Sequence, residues 1–207
     1  MTRDHTRSRA SIALMTIAIV LGAVGFSAVA ASAIQEPETF SAIAQHVGTG
    51  PGAAAAGGGQ TRVIIQITRW STDEQRDELA TVLAERGSNE LANALNKQPE
   101  VGFIRFPQNQ TDFPSVRLRY ARQFVDGDQR MIILAADRAI GFVEAMNRNP
   151  RTSDSRVSLI QLTMNGDRGE GVMAVGVEME IDLETNTLSI TNISSQPARL
   201  RNVRKSN

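Results

Sequence analysis

This chain of 207 residues contains no cysteine. No disulfide and no thiolate metal site can therefore form, and a thiol nucleophile is excluded. Histidine is nearly as scarce, with two in the whole chain, His5 and His46. Both precede the region read below as the folded domain. Within that domain the Ser–His and Cys–His nucleophilic arrangements, His-ligated zinc or iron, and haem held by histidine all lack their residue types. Any enzyme built here would have to use carboxylates, Arg, Tyr120, Lys97 or Lys205, or a bare Ser or Thr. Aromatics are few, with one Trp and one Tyr. Charge of one sign is also lacking: 22 basic residues balance 22 acidic ones. That gives no electrostatic reason to expect a nucleic-acid partner, which wants a basic face.

The N-terminus carries a definite pattern. Arg3, Arg7 and Arg9 precede an uncharged run, Ile12 to Ala30, and Ala31-Ser32-Ala33 fits a small-x-small cleavage site. Residues 1–33 thus read as a secretory signal peptide cleaved after Ala33, giving a periplasmic or secreted protein with no stable membrane span after cleavage. An uncleaved anchor is the alternative, since the apolar run approaches spanning length. Residues 34–60 read as a flexible linker, because Gly48 to Gln60 is GTGPGAAAAGGGQ. Phe40, Ile43, Ala44 and Val47 before it have helical spacing, giving either a short docking helix or a segment too short to hold a helix alone. Residues 61–204 form a single expected domain, and 205–207 a tail.

Residues 155–193 carry the plainest fold signal. Met173, Val175, Val177, Met179, Ile181 and Leu183 alternate with Ala174, Gly176, Glu178, Glu180 and Asp182. Period-two alternation predicts a strand with one face buried. The apolar runs Val157 to Met164 and Leu188 to Ile193 flank it across turn-rich links, which predicts a three-strand antiparallel meander. Upstream, Val63 to Ile67 predicts a strand. Ser71 with Glu74 forms an expected capping box opening a helix through Leu79, Val82 and Leu83; Gly87 ends it, and Ser88 caps a second helix through Leu91 and Leu95. Val101 to Phe106 and the alternation Val116, Leu118, Tyr120 predict further strands. Asp126-Gly127 signals a hairpin, and Met131 to Ala136, apolar on both faces, predicts a strand in the middle of the sheet. Ala139 to Met146 reads as strand or extended loop, and Arg199 to Val203 as a short edge strand. The expected class is α+β: an antiparallel meander of about seven or eight strands, open or curled toward a barrel, with a helical pair after the first strand.

Each candidate for chemistry has a plainer structural explanation. Glu178, Glu180 and Asp182 line one strand face and could supply an acid/base pair if one were desolvated, but alternation predicts a solvated face. Asn165, Asp167 and Glu170 offer oxygen ligands for calcium, yet suit an ordinary hairpin turn; Asp126 and Asp128 do likewise. Gly169-Glu170-Gly171-Val172-Met173-Ala174 matches a dinucleotide pattern but opens a strand rather than a helix, which rejects it. Arg105, Arg117, Arg119 and Arg122, with Tyr120 and Trp70, could line a site for an anion; Arg117 and Arg119 read as exposed charges, and Trp70 as a core plug. No catalytic, cofactor-binding or metal residue is assigned, and no cofactor is expected.

Ile67 to Arg76, Val101 to Arg105, Leu118 to Arg122, Ile140-Gly141-Phe142 and Ser195 to Val203 together resemble a family of uncharacterised, signal-bearing bacterial proteins. The resemblance covers most of residues 61–204. It implies export and a shared domain, and it carries no functional residues. Two functions follow: a non-enzymatic exported domain that binds a protein partner or small ligand, or a carboxylate-dependent hydrolase of envelope or extracellular carbohydrate. A deep apolar cavity would indicate a carrier of small apolar molecules.

Overall fold

The structure is a computed structural model, and it describes residues 18–20, 36–46, 60–107, 115–138, 140, 157–184, 187–193 and 197–206. Eleven strands form one sheet: β1 (Ala18–Val20), β2 (Glu38–His46), β3 (Gln60–Ile67), β4 (Gly102–Arg105), β5 (Val116–Leu118), β6 (Tyr120–Asp126), β7 (Gln129–Ala136), β8 (Val157–Asn165), β9 (Arg168–Asp182), β10 (Thr187–Ile193) and β11 (Ala198–Ser206). Among the described residues the helical element is α1 (Asp73–Lys97), kinked at Gly87, between β3 and β4. The strand order is β5-β4-β3-β2-β11-β9-β8-β7-β6, and every pairing is antiparallel.

The two ends of that path, β5 and β6, are separated by Arg119 alone. Its N–H donates to the Ala135 carbonyl at 2.9 Å, so one stretch of chain leaves β4 and joins β7. The sheet thereby curls back on itself into a near-barrel, which removes most of its edges. β9 is long enough to run past this ring and pair with β10, which also pairs with β1.

Alternation along the strands makes two cores. Inward residues such as Phe40, Ile65, Ile104, Leu118, Ile132, Leu134, Leu162 and Met164 fill the ring with side chains. Each of these large side chains, fully removed from water, contributes roughly 1.5–3 kcal/mol. Outward residues of β7, β8 and β9, including Ala135, Leu159, Ala174 and Met179, meet Leu79, Leu83, Leu91 and Leu95 of α1 in a second cluster. The fourfold spacing within each leucine pair puts those side chains on one helix face. β7 and β8 are therefore covered on both sides, which agrees with the central position expected from the apolar run 131–136.

The meander β8-β9-β10 and the hairpin expected at Asp126-Gly127 are present. Their two-residue turns, Gly127-Asp128 and Gly166-Asp167, place glycine at φ 56° and 57°, the region hairpin turns require.

Other expectations are corrected. Glu38–His46, read as part of a linker with helical spacing, is a strand between β3 and β11. Phe40, Ala42 and Ala44 are its inward residues; Phe40 and Ala44, four apart, fit both periods, whereas Ile43 of the helical set lies on the other face of the strand. β11 is consequently interior to the sheet, bonded to β2 and β9, rather than a short edge strand. α1 is two helical stretches that meet at a kink: Gly87, at φ 78° and ψ −178°, is non-helical where the sequence places the end of the first helix, and the second follows from Ser88 with no loop between them. The chain doubles back there, since Gln98 after the second stretch hydrogen-bonds Gln75 and Glu78 in the first. The capping box is one residue later than expected. Thr72 is the N-cap, its hydroxyl accepts from the Gln75 N–H, and the Gln75 side chain accepts from the Thr72 N–H. The expected strand through Val116 and Tyr120 breaks at Arg119, so Leu118 points into the ring while Tyr120 points out toward α1. Of the ambiguous stretch 139–146, Ile140 alone is described, and it is buried in the inner core.

Candidate functional site

Two clefts lie on the outer face of the ring, whose interior is lined among the described residues by the buried side chains of the first cluster. α1 packs on the outer face of the sheet and leaves a cleft of about 90 Å³ beneath it. Leu79, Leu83 and Leu91 form one wall; Phe124, Ile133 and Leu159 form the floor; Met179, Ile181 and Leu188 close the far side. Polar groups reach it in two places. The Tyr120 phenol lines it, and Arg76 stands at its edge, tied to Asp77 at 2.6 Å and Asp73 at 3.7 Å. Burial pushes the Tyr120 hydroxyl up to about 12, since a phenolate there would lose its water.

The geometry is anchored at three points. Where Gly87 interrupts α1, the Ser88 hydroxyl accepts from the Met179 N–H at 2.6 Å and donates to the Met179 carbonyl at 2.9 Å. At the helix start, Arg122 pairs with Asp73 and holds its carboxyl below the usual carboxylate range. At the helix end, Gln98 is buried; its amide donates to Glu78 at 3.0 Å and its carbonyl side-chain oxygen accepts from Gln75 at 3.1 Å. Arg119 donates to the Gln98 backbone carbonyl at 3.0 Å and pairs with Asp137 at 3.3 Å. The start and the end of α1 are thus held together at one place beside Arg119 and Arg122, and its kink is held to β9 by Ser88.

A wider groove of about 740 Å³ continues along the outer face of β8, β9 and β11. Gln161, Thr163 and Val172 form its floor, with Glu170, Arg199 and Arg201 along it. Ile133 and Leu159 line both the groove and the cleft, so the two spaces meet at β7 and β8.

A third feature sits inside one end of the ring. Glu38, Arg130 and Lys205 share the inward parity of Phe40, Ile132 and Val203. Arg130 approaches Glu38 at 2.9 Å and Lys205 approaches it at 3.4 Å, while Arg130 lies 5.2 Å from the Trp70 ring centroid. Trp70 packs against the inner core, and this charged layer closes the end of the ring above it.

The arginines singled out from the sequence do not converge. Arg105 stacks on Phe103 at 4.3 Å, Arg117 pairs with Glu100 at 3.4 Å, and Arg122 belongs to the helix start. Arg119 is not an exposed charge: its side chain is 15% exposed against Asp137 at 14%. Glu178, Glu180 and Asp182 are all exposed, and the backbone N–H of Glu184 donates to the Asp182 carboxylate at 2.9 Å. Asn165 ends β8 and Asp167 stands in the β8–β9 turn, while Glu170 lies in the groove. No group of three or more potential metal ligands occurs among the described residues. His46 is the last residue of β2. No described helix is long and apolar enough to cross a membrane, which does not bear on strands.

Sequence reasoning missed the cleft because each of its walls reads as ordinary core. The one signal available was Tyr120, the sole tyrosine, next to a strand whose alternation slips. Compared with protein-family models, curated proteins and solved structures, the chain matches none.

Proposed function

We propose that this chain is an exported, non-enzymatic binding domain whose ligand is a small molecule with an apolar body, held under α1. One observation carries the reading: a cleft walled by leucine, isoleucine and methionine side chains beneath a helical element whose ends and kink are hydrogen-bonded to the sheet. Ligand sites are commonly concave, mostly apolar and supplied with a few fixed polar groups, and Tyr120 and Arg76 have that relation to this cleft. The hydrolase reading draws no support from Glu178 and Glu180, which stand exposed to water where neither is desolvated.

Titration of the full chain with decanol, followed by methyl NMR, tests it. Saturable shifts confined to Leu79, Leu83, Leu91, Met179 and Ile181 are expected. No response, or shifts scattered over the surface, overturns the reading.

Export to the periplasm or medium rests on the arginine-led apolar segment and on Ala31-Ser32-Ala33. Cleavage after Ala33 would remove β1 and leave β10 bonded to β9 alone. Intact mass of exported material is expected to correspond to a chain beginning at Ile34, and material retaining Met1 overturns it.

A further inference from the structure

The groove beyond the cleft has a chemical character of its own. Its outer-face residues form a lateral row fixed by strand register: Ile133 opposite Gln161, Gln161 opposite Val172, and Val172 opposite Arg199. Adjacent strands lie about 4.8 Å apart, so this row spans roughly 14 Å from the apolar floor under α1 to a guanidinium. The row runs from apolar through neutral polar to cationic. Beside it, β11 carries a bulge. Leu200 pairs with Gly171 and Val203 with Gly169, so Arg201 and Asn202 together face the single residue Glu170. Asn202 takes φ 52° there, and both Arg201 and Asn202 line the groove. Bulges of this kind re-aim side chains, and here one brings a second guanidinium to the same end as Arg199.

The charges facing the groove are Arg199, Arg201 and Glu170. Among the described residues neither arginine has a carboxylate partner within ion-pair distance, unlike Arg117, Arg119, Arg122 and Arg130. One carboxylate against two guanidinium groups leaves a net positive end, and arginine's planar fork suits a carboxylate.

We propose that the cleft and the groove form one site for an anionic amphiphile, specifically a free single-chain carboxylate, with its apolar chain under α1 and its carboxylate at Arg199 and Arg201. This rests on the reading of the cleft as a ligand site and names the class of ligand. The chain passes over Ile133 and Leu159, the two residues the spaces share. The carboxylate lies beyond Val172, at the bulge.

The test compares decanoate with decanol at neutral pH on the full chain, by titration with methyl and arginine side-chain NMR. Decanoate is expected to bind about tenfold tighter than decanol or better, with shifts at Arg199 and Arg201 as well as under α1. Raising the ionic strength erodes that preference. In the double substitution Arg199→Gln with Arg201→Gln, both at exposed positions, the ratio of the two affinities falls to about one. Equal affinities in the parent chain overturn this proposal while leaving the cleft reading in place, and failure of both probes overturns both. A response to vesicles containing phosphatidylglycerol with none to decanoate assigns the arginines to a membrane surface and overturns the proposal as well.

Discussion

Ser71 and Ala121 exchange two hydrogen bonds across fifty positions of chain: the Ser71 N–H donates to the Ala121 carbonyl at 2.8 Å, and the Ala121 N–H donates to the Ser71 hydroxyl at 3.1 Å. Both residues are buried. The pair fixes where α1 leaves the ring, because Thr72, the next residue, is its N-cap. The first stretch of α1, whose Leu79 and Leu83 wall the cleft, is placed from this contact.

Ser71→Ala therefore removes an acceptor and strands the Ala121 N–H in the interior. A buried donor left without a partner costs about 1–3 kcal/mol. Urea unfolding should show a lower midpoint with an unchanged slope. Ser71→Thr keeps the hydroxyl and should retain most of the stability. An alanine variant as stable as the parent would mean that the bond does not set the helix entry.

Arg119 and Asp137 govern the other end of the helix. Arg119 bridges Asp137 to the Gln98 backbone carbonyl, so it ties the end of α1 to the strand crossing at β5 and β6. Asp137→Asn leaves a mostly buried guanidinium without its counter-charge, which should destabilise by about 3 kcal/mol. The same change should speed amide exchange at Gln98 and Val101, whose N–H groups donate to Leu95 and Leu118. The joint substitution Arg119→Met with Asp137→Leu should recover part of the loss, since it removes both charges together. Equal stability of Asp137→Asn and the parent would show the pair to be solvated.

The layout of the sheet was partly visible in the residues. Strands whose apolar alternation is strict, such as β9, and turns with a glycine beside an acidic or amide residue, such as those after Asp126 and Asn165, announce themselves through local physics alone. β2 did not, because Phe40, Ala42 and Ala44 are small or isolated and Phe40 and Ala44, four apart, satisfy both periods; its pairing with β3 and β11 is a long-range fact. Once β2 is in place β11 ceases to be an edge, so one local ambiguity displaced two assignments. The slip at Arg119 was hidden for a similar reason. Leu118 and Tyr120 both look inward when the strand is read as continuous, and only the exchange of partners from β4 to β7 turns the tyrosine outward. The cleft draws on α1, β6, β7, β8, β9 and β10, and every one of those residues has an adequate explanation as core when read singly.

The charged layer inside the ring should be sensitive to removal of the Glu38 carboxylate. Glu38 stands between Arg130 and Lys205, and its side chain is 15% exposed. Glu38→Gln leaves two cations facing each other near the inner core, with an expected cost of about 2 kcal/mol, less than for a fully dry pair because Lys205 is 30% exposed. Screening by salt should shrink that difference. Urea unfolding of both chains at low and high salt measures it. A difference under about 0.5 kcal/mol at low salt, the usual range of surface changes, would mean that the cations reach water freely.

Tyr120 gives a pH signature that can be followed without ambiguity, as the chain has one tyrosine. Its hydroxyl is pushed up to about 12 in the folded chain, chiefly by burial, against an ordinary value near 10 when unfolded. The folded state thus favours the neutral phenol. Below pH 10 both states are neutral and the group's contribution is fully present. Between about pH 10 and pH 12 the unfolded chain ionises while the folded one resists, and stability falls as pH rises, by up to about 3 kcal/mol. Absorbance of the phenolate, recorded against pH on the folded chain, should show a midpoint well above 10 and a sharp shift back toward 10 in urea. Tyr120→Phe should abolish this loss of stability. A midpoint near 10 in the folded chain would place the hydroxyl in water and would mean that the cleft under α1 is wet.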